Sequence, residues 1–357
     1  MANADPSRSR GDGKTSNVIP VSPERVDRSI SEQNTPREQA TVVVLADGSM
    51  PHREKLEELC GKERLFIGNS VGAVTRGTSD ATVIFNWSGS RGLLRDVFLN
   101  CPKLRWIHNR SAGLERSLFP ELIASPVLLT NGTGVFSPSL GEFALAAILY
   151  FAKDLRRMIR NQMNGVWEPF DILMAAGQTV GIIGYGDIGH AVAARVRSLG
   201  MKVLAVKRQA PPHSDALADE IYGRDSLLQI LPRCDYVVVT MPLTEKTRGM
   251  IGEREIAAMR STAVVINLGR GPVINEQALV RALSRNQIRG AALDVFDKEP
   301  LPAGHEFYKL ENVLLSPHCA DHTADWLDDA MQLFLEQLLR FQTGMPLLNI
   351  VDKKLGY

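Results

Sequence analysis

No stretch of about 18 consecutive apolar residues occurs in the chain, so the sequence offers no membrane-spanning helix. The N-terminus lacks the charged-then-apolar pattern of a secretory signal, and the expected location is the cytoplasm. An excess of either charge is missing too. The 41 Lys and Arg against 40 Asp and Glu leave a formal charge of +1, which argues against nucleic acid or an anionic membrane as partner. Cysteine is scarce: Cys60, Cys101, Cys234 and Cys319 form no CxxC pair, which argues against a zinc site and a disulfide framework. The histidines other than His318 show no metal-ligand spacing with Cys or carboxylates, so no metal is expected. What remains is a protein that handles a small molecule.

Its 357 residues suffice for two compact units, each with its own core, and a cleft between them. Residues 1–39 are rich in Ser, Arg, Asp, Gly and Pro and poor in apolar positions, the composition of a disordered tail. Asp5, Glu24, Asp27 and Glu32 make this tail less acid-poor than a transit peptide usually is, which leaves organellar targeting open. From Ala40 onward, short apolar runs alternate with helical stretches: Thr41–Leu45, Thr82–Phe85, Leu104–Ile107 and Val127–Leu129, then runs near 179–184, 202–206, 235–241, 262–268, 290–296 and 312–316. Strands alternating with helices form parallel sheets covered on both faces. The expected fold is α/β, with two Rossmann-like doubly wound parallel-sheet domains. Between the two series, Ser137-Pro138-Ser139-Leu140-Gly141-Glu142 reads as a Ser cap, a first-turn proline and a Ser-x-x-Glu capping box. The helix it announces has no obvious stop before Gly165 and is expected to bridge the two domains.

The strand Thr179–Ile183 leads into Gly184-Tyr185-Gly186-Asp187-Ile188-Gly189, and a stretch with Ile188, Val192, Val196 and Leu199 on one helical face follows. In a dinucleotide-binding turn, Gly184 permits the tight bend, Gly186 lets the backbone approach a pyrophosphate, and Gly189 lets helix pack on strand. The helix N-terminus then offers free N–H groups to the phosphates. Glycine turns also occur as plain connections, but here strand, glycines and helix come in the required order. The next strand ends in Lys207-Arg208, where an acidic residue would hold the ribose 2′-hydroxyl of NAD. Two cations pair instead with a 2′-phosphate, so NADP is expected rather than NAD. Solvated charges at a strand end are the plainer alternative.

Arg270, Glu299 and His318 each stand at or just beyond the C-terminal end of an expected strand, the edge at which open α/β sheets bind ligands. Singly they fit a salt bridge, a loop carboxylate and a turn histidine. Jointly they fit hydride chemistry at a 2-hydroxy carbon, which must also move the hydroxyl proton. Histidine suits that task near neutrality, a carboxylate beside it favours the imidazolium, and a guanidinium can fork onto a carboxylate or carbonyl oxygen.

On these motifs, with Met241-Pro242-Leu243-Thr244, Asn267-Leu268-Gly269-Arg270-Gly271, Asp294-Val295-Phe296 and Ser316-Pro317-His318, the sequence resembles the D-isomer-specific 2-hydroxyacid dehydrogenases, which include glyoxylate and hydroxypyruvate reductases. The resemblance implies a flavodoxin-like substrate domain over 40–140 completed by a helix at 320–345, and an NAD(P)-binding Rossmann domain over 141–319. It implies that Arg270 binds the substrate, Glu299 orients and charges His318, and His318 is the acid or base. Asp294 would contact the nicotinamide carboxamide, and Pro242 and Thr247 would line the ribose and phosphate path. Leu268 and Ala320 join the cofactor-binding set. Ser88, Gly89, Ser111, Ala112 and Gly113 match loops that hold the substrate carboxylate. A homodimer through the Ser137–Trp167 region is implied as well.

The departures are Cys319-Ala320-Asp321-His322 where the family often has glycines after the histidine, and Leu114-Glu115 in place of the common Val-Asp. A Cys319–His318 nucleophile pair is disfavoured, because adjacent residues seldom face each other. Trp326 is expected to pack the hinge rather than wall the pocket. The leading function is therefore reduction of a small 2-keto acid to its D-2-hydroxy acid. A dinucleotide-sensing, corepressor-like protein with little turnover is the alternative.

Overall fold

The computed structural model describes residues 39–47, 50–115, 117–209 and 215–357, so the expected tail lies, apart from Gln39, outside the described residues. Two parallel sheets carry the architecture. The first has five strands, β1 (Val42–Leu45), β2 (Leu65–Gly68), β3 (Val83–Asn86), β4 (Trp106–Asn109) and β5 (Leu128–Thr130), in the order β2-β1-β3-β4-β5. That is the flavodoxin-like arrangement. The second has seven: β6 (Thr179–Ile183), β7 (Lys202–Lys207), β8 (Glu220–Gly223), β9 (Tyr236–Val239), β10 (Val264–Asn267), β11 (Gly290–Leu293) and β12 (Val313–Leu315). Their order, β12-β11-β10-β9-β6-β7-β8, reverses direction between β6 and β9 and leaves a crevice beyond the strand ends there. Every pairing between named strands is parallel, and an isolated antiparallel bridge joins Thr130 of β5 to Ile350.

Each sheet is buried on both faces. One face of the first packs on the final helix, Trp326–Thr343, which brings Met331, Phe334, Leu338 and Phe341 onto Val42, Val44, Phe85 and Trp106. Phe334 stacks on Phe85 at 3.8 Å between ring centroids. The chain thus returns from the second sheet to complete the first. The helix Ser137–Ala152 does the opposite, setting Leu140, Ala144, Ile148 and Phe151 against Val180, Ile182 and Val192 of the second sheet's core. Gly141 makes this possible, since a Cβ there would sit 2.9 Å from the carbonyl oxygen of Ala191. Among the described residues no helix is long and apolar enough to cross a membrane.

The expected long bridging helix is two helices. The first stops at Ala152, Asp154 takes the left-handed conformation at φ 48°, and a second helix runs over Leu155–Met163. The capping box is not formed: the helix begins at Ser137 with no side-chain cap, Ser139 Oγ donates to the Ala320 carbonyl at 2.7 Å, and Glu142 turns to Arg195. Ser139 thereby ties this helix to the loop after His318, a tertiary bond that displaces the local one. Two strands were absent from the sequence expectation, β2 and β8. Both are sheet edges and only partly buried, so neither carries the fully buried apolar run of the central strands.

Candidate active site

The turn after β6 has the geometry that its glycines suggest. Gly184 sits at φ 110°, a left-handed-side conformation that L side chains rarely adopt, and a Cβ there would lie 2.7 Å from the Met241 backbone nitrogen. Gly189 opens the packing of the helix Asp187–Ser198 on its strand, because a Cβ would meet the Gly184 carbonyl oxygen at 2.7 Å. Gly186 is different. Its φ of −103° is open to any residue and a Cβ would meet nothing within 4 Å, so the protein itself does not require glycine there. A ligand passing close to the backbone would.

Tyr185 has its side chain in the core, with its hydroxyl on Asp215 at 3.2 Å and its ring on His190 at 4.1 Å, which leaves only its backbone for the turn. Asp187 accepts from Gly134 N–H at 3.0 Å and fastens the turn to the first lobe's connection. Ile188 lines the cleft. Lys207 ends β7, its ammonium 5.5 Å from the Tyr185 ring, and Arg208 donates to the hydroxyl of Tyr357 at 2.9 Å. Pro242 and Thr247 clamp one turn, Thr247 Oγ donating to the Pro242 carbonyl at 2.7 Å, while Leu243 between them reaches the cleft wall.

A cleft of about 580 Å³ lies between the two sheets' C-terminal edges. His318, Glu299 and Arg270, far apart in sequence, meet on its wall. His318 Nδ1 and Glu299 Oε2 are 2.6 Å apart, which leaves Nε2 as the imidazole nitrogen facing the cleft. Glu299 is held from behind, its other oxygen accepting from Phe296 N–H at 3.0 Å. His318 itself lies at φ 53°, an uncommon conformation for a residue with a side chain. Asp294 pins the loop that imposes it: its Oδ1 accepts from Ser316 Oγ at 2.6 Å and from the backbone N–H of Cys319 and Ala320 at 3.0 and 3.1 Å. Asp294 is buried, so this carboxylate is an internal anchor as well as part of the cleft wall.

Arg270 extends from the end of β10, where Asn267 braces the loop by accepting from Gly269 N–H and donating to the Arg270 carbonyl. Its Nε donates to Glu115 Oε1 at 3.0 Å across the cleft, and its Nη1 to the Gly269 carbonyl at 2.7 Å. The guanidinium lies so close to Gly113 that a Cβ there would fall 1.7 Å from Nη2. Ser88, Gly89, Ser111, Ala112 and Gly113 all line the same cleft, as does Leu268. Ala320 does not wall it, being spent on Asp294 and Ser139. Cys319 contacts Ser316 Oγ at 3.5 Å and makes no pair with His318. The other three cysteines are buried, and burial pushes their thiols up, Cys60 and Cys234 to about 12 and Cys101 to about 11.

Sequence reasoning missed the braces of the first lobe. Asn109 Nδ2 donates to the Ser111 and Gly113 carbonyls at 2.8 and 3.1 Å, and its Oδ1 accepts from Asn86 and Ser117. Asn131 holds the Ala112 carbonyl at 2.8 Å. Buried asparagines at the ends of apolar strands β3 and β4 were the available signal. Trp326 packs against Phe136 at 6.3 Å and also walls the cleft, so hinge and pocket share one ring. Arg110 was missed altogether; burial pulls its guanidinium below the usual arginine pKa, with the charge of Asp47 opposing.

A glycine turn at the switch point of a Rossmann sheet, facing a histidine–carboxylate pair and an arginine, defines a dinucleotide-dependent oxidoreductase. Residues 145–320 match the model of the D-isomer specific 2-hydroxyacid dehydrogenase NAD-binding domain. The chain is 34% identical over 269 residues to the glyoxylate reductase of Thermococcus gammatolerans, covering 72% of this chain and 79% of that one. The glyoxylate reductase of Korarchaeum cryptofilum is 32% identical over 271 residues, with 72% and 79% covered. Among solved structures, a D-isomer specific 2-hydroxyacid dehydrogenase from Xanthobacter autotrophicus, in complex with NADPH and MES, superposes with a TM-score of 0.77 at 28% identity, covering 90% of this chain and all of that one. An NADPH-dependent glyoxylate/hydroxypyruvate reductase from Sinorhizobium meliloti, in complex with NADP and sulfate, gives 0.75 at 25% identity, covering 89% and 100%. The chain belongs to the D-isomer-specific 2-hydroxyacid dehydrogenase family. It is a nicotinamide-dependent oxidoreductase that interconverts small 2-keto and 2-hydroxy acids.

Proposed function

We propose that the protein reduces glyoxylate, hydroxypyruvate or a close 2-keto acid with NADPH, and that His318 is the proton donor. The carrying observation is the 2.6 Å pairing of His318 Nδ1 with Glu299, on the wall of the cleft that also holds Arg270. A bound reduced nicotinamide supplies the hydride. Arg270, with the N–H groups of Gly89, Ala112 and Gly113, orients the keto acid, while the Ser88 N–H is taken by the Leu45 carbonyl at 3.0 Å, and His318 Nε2 gives a proton to the carbonyl oxygen as it becomes a hydroxyl. Glu299 fixes the imidazole's tautomer and stabilises its charged form.

The glycine turn from Gly184 to Gly189 would hold the pyrophosphate, with Ile188, Leu268 and Leu243 along the cofactor path and Asp294 near the nicotinamide end. For Pro242, Thr247 and Ala320 the support is their position beside that path. Lys207 and Arg208 at the end of β7 favour a 2′-phosphate, and the related enzymes from Xanthobacter and Sinorhizobium were solved with NADPH or NADP. In domain terms, residues 40–140 with the final helix form the substrate lobe and 141–319 the cofactor lobe. The boundary falls inside the helix Ser137–Ala152. A cytoplasmic homodimer is the expected form. Support for a partner face is the apolar surface that Met163, Trp167 and Met174 expose, Trp167 at 97%.

Initial rates over a panel of 2-keto acids with NADPH and NADH test the reading. Glyoxylate and hydroxypyruvate should oxidise NADPH with at least tenfold higher kcat/KM than NADH, roughly one charge-assisted contact. Lys207→Asp should weaken NADPH more than NADH. Equal efficiency with both cofactors removes the preference. Tight NADPH binding without turnover of any keto acid favours the sensing alternative.

A further inference from the structure

The cleft holds a second guanidinium to which the reaction above assigns no task. Arg110 follows β4, and its backbone is fixed by donation to the Asn86 carbonyl at 3.1 Å. Its side chain lies over two rings from opposite ends of the lobe, 4.8 Å from the Trp87 centroid and 5.1 Å from that of Trp326. Trp326 is itself backed by His322, stacked at 4.7 Å with the planes 4° apart. Aromatic faces on a cation offset part of its desolvation but accept none of its five N–H donors.

Those donors lack partners. Among the described residues Arg110 makes no side-chain hydrogen bond and no ion pair, and its Nε is buried without an acceptor. Asp47 is the carboxylate whose charge it feels, and Asp47 is taken up by Ser88 Oγ at 3.3 Å. Arg270 in the same cleft is matched by Glu115. One of the two cations is therefore answered within the protein and the other is not. A half-buried guanidinium without acceptors is costly unless a ligand anion completes it.

We infer that Arg110 is a specificity-determining residue forming a second anion subsite, so that the preferred substrate is a 2-keto acid with another anionic group, carboxylate or phosphate, farther along its chain. This assignment rests on Arg270 and His318 forming the reacting end, where the first carboxylate and the keto group lie. Glyoxylate is then the smallest substrate, engaging Arg270 alone. Trp87 and Trp326 hold the guanidinium at a fixed place on the wall, and such preorganisation discriminates by distance as well as by charge.

Steady-state rates with NADPH on three substrates decide it: 2-oxobutanoate, which has no distal charge, oxaloacetate for the carboxylate, and phosphohydroxypyruvate for the phosphate. The wild type should show roughly tenfold or higher kcat/KM for at least one dianion over 2-oxobutanoate, the usual scale of a charge-assisted contact. Whichever dianion leads identifies the anion. Arg110→Gln should remove that advantage, and Arg110→Lys should keep part of it. A wild type without dianion preference overturns the assignment, as does an Arg110→Gln variant that loses the same factor on all three substrates. Should the variants not fold, wild-type inhibition constants against glyoxylate decide, and succinate binding no more tightly than butanoate overturns it. If the wild type turns over no keto acid, the proposed function fails separately; calorimetry with NADP⁺-loaded protein then reads the subsite, tighter succinate than butanoate supporting it and equal affinities overturning it.

Discussion

The two lobes reach the cleft by different means. The cofactor lobe shapes its edge with backbone: Gly184 at φ 110°, Gly189 against the Gly184 carbonyl, and Gly271, where a Cβ would fall 2.0 Å from the Phe296 carbonyl carbon. The substrate lobe shapes its edge with side chains gathered from afar, Trp87, Arg110 and Glu115 from its own loops and Trp326 from the helix that returns after the second sheet. Backbone demands appear in sequence as glycines at fixed offsets, whereas the meeting of Arg110 with Trp87 and Trp326 follows no motif or strand end that could be read. Under the proposed function, substrate choice falls to the less legible lobe.

The largest expected effect tests the proposed reacting pair, His318 and Glu299, on the cleft wall. His318→Asn should lower kcat by roughly 10²- to 10⁴-fold, the range of a general acid, with NADPH binding kept. Glu299→Gln should cost less, on the order of tenfold to a hundredfold, because a neutral amide still orients the ring but no longer favours its charge. Stopped assays for kcat and fluorescence titration for NADPH give both numbers. A His318→Asn enzyme within a factor of ten of wild type would remove His318 from the proton's path.

Next come the two glycines that differ within one turn. Gly184→Ala forces a side chain into a positive φ and onto the Met241 backbone, and should destabilise the cofactor-free protein by about 2–4 kcal/mol in denaturant melts. Gly186→Ala meets nothing in the protein and should leave that stability within about 0.5 kcal/mol, as changes away from special features do. Its NADPH affinity should still fall at least tenfold, roughly the loss of one phosphate–backbone contact. An unchanged NADPH affinity in Gly186→Ala would mean that the pyrophosphate does not pass there.

Most of the fold was legible because ten of the twelve strands could be read from apolar runs bounded by turns; β8, Glu220–Gly223, has no such run, whereas β2 has one in Leu65-Phe66-Ile67 that was overlooked. Arg270, Glu299 and His318 were singled out by their joint place near strand ends, their chemistry and the family resemblance, and the structure brings the three onto one cleft wall. The braces could not be read so, since the asparagine network of Asn86 and Asn109 exists only after β3 and β4 pair. The overlong bridging helix failed for a related reason. Ser139 and Glu142 have local capping chemistry, but tertiary partners, Ala320 and Arg195, claim them.

A third effect separates the lobes by acid. His108, fully buried under Phe85, Trp106 and Phe334 with Nδ1 on Thr130 Oγ at 2.7 Å, is pushed down to about 3 by burial. The unfolded chain binds a proton there below about pH 6.5 and the folded one does not. Its contribution is therefore whole above that pH and declines as pH falls towards 3, by about 1.4 kcal/mol per unit. In urea melts between pH 7 and pH 4, His108→Gln should flatten the acid loss. Parallel curves for variant and wild type would place the acid sensitivity elsewhere.

The smallest effect concerns Glu115, the cleft carboxylate paired with Arg270. Its pair with Arg270 joins the lobes across the cleft, and both side chains are about one-third exposed, 30% for Arg270 and 34% for Glu115. Such a pair contributes on the order of 1 kcal/mol at most, and salt weakens it. In the proposed function a substrate carboxylate takes the same guanidinium, which would make Glu115 an internal competitor. Glu115→Gln should lower the KM for glyoxylate by roughly twofold to fivefold with kcat changed less than that, the kinetic sign of altered ground-state binding. The gain should shrink at high ionic strength, where the wild-type pair is already screened. A KM that rises instead would show that Glu115 holds Arg270 in its working position. The substrate lobe would then be preorganised through a cross-lobe ion pair rather than through its own loops.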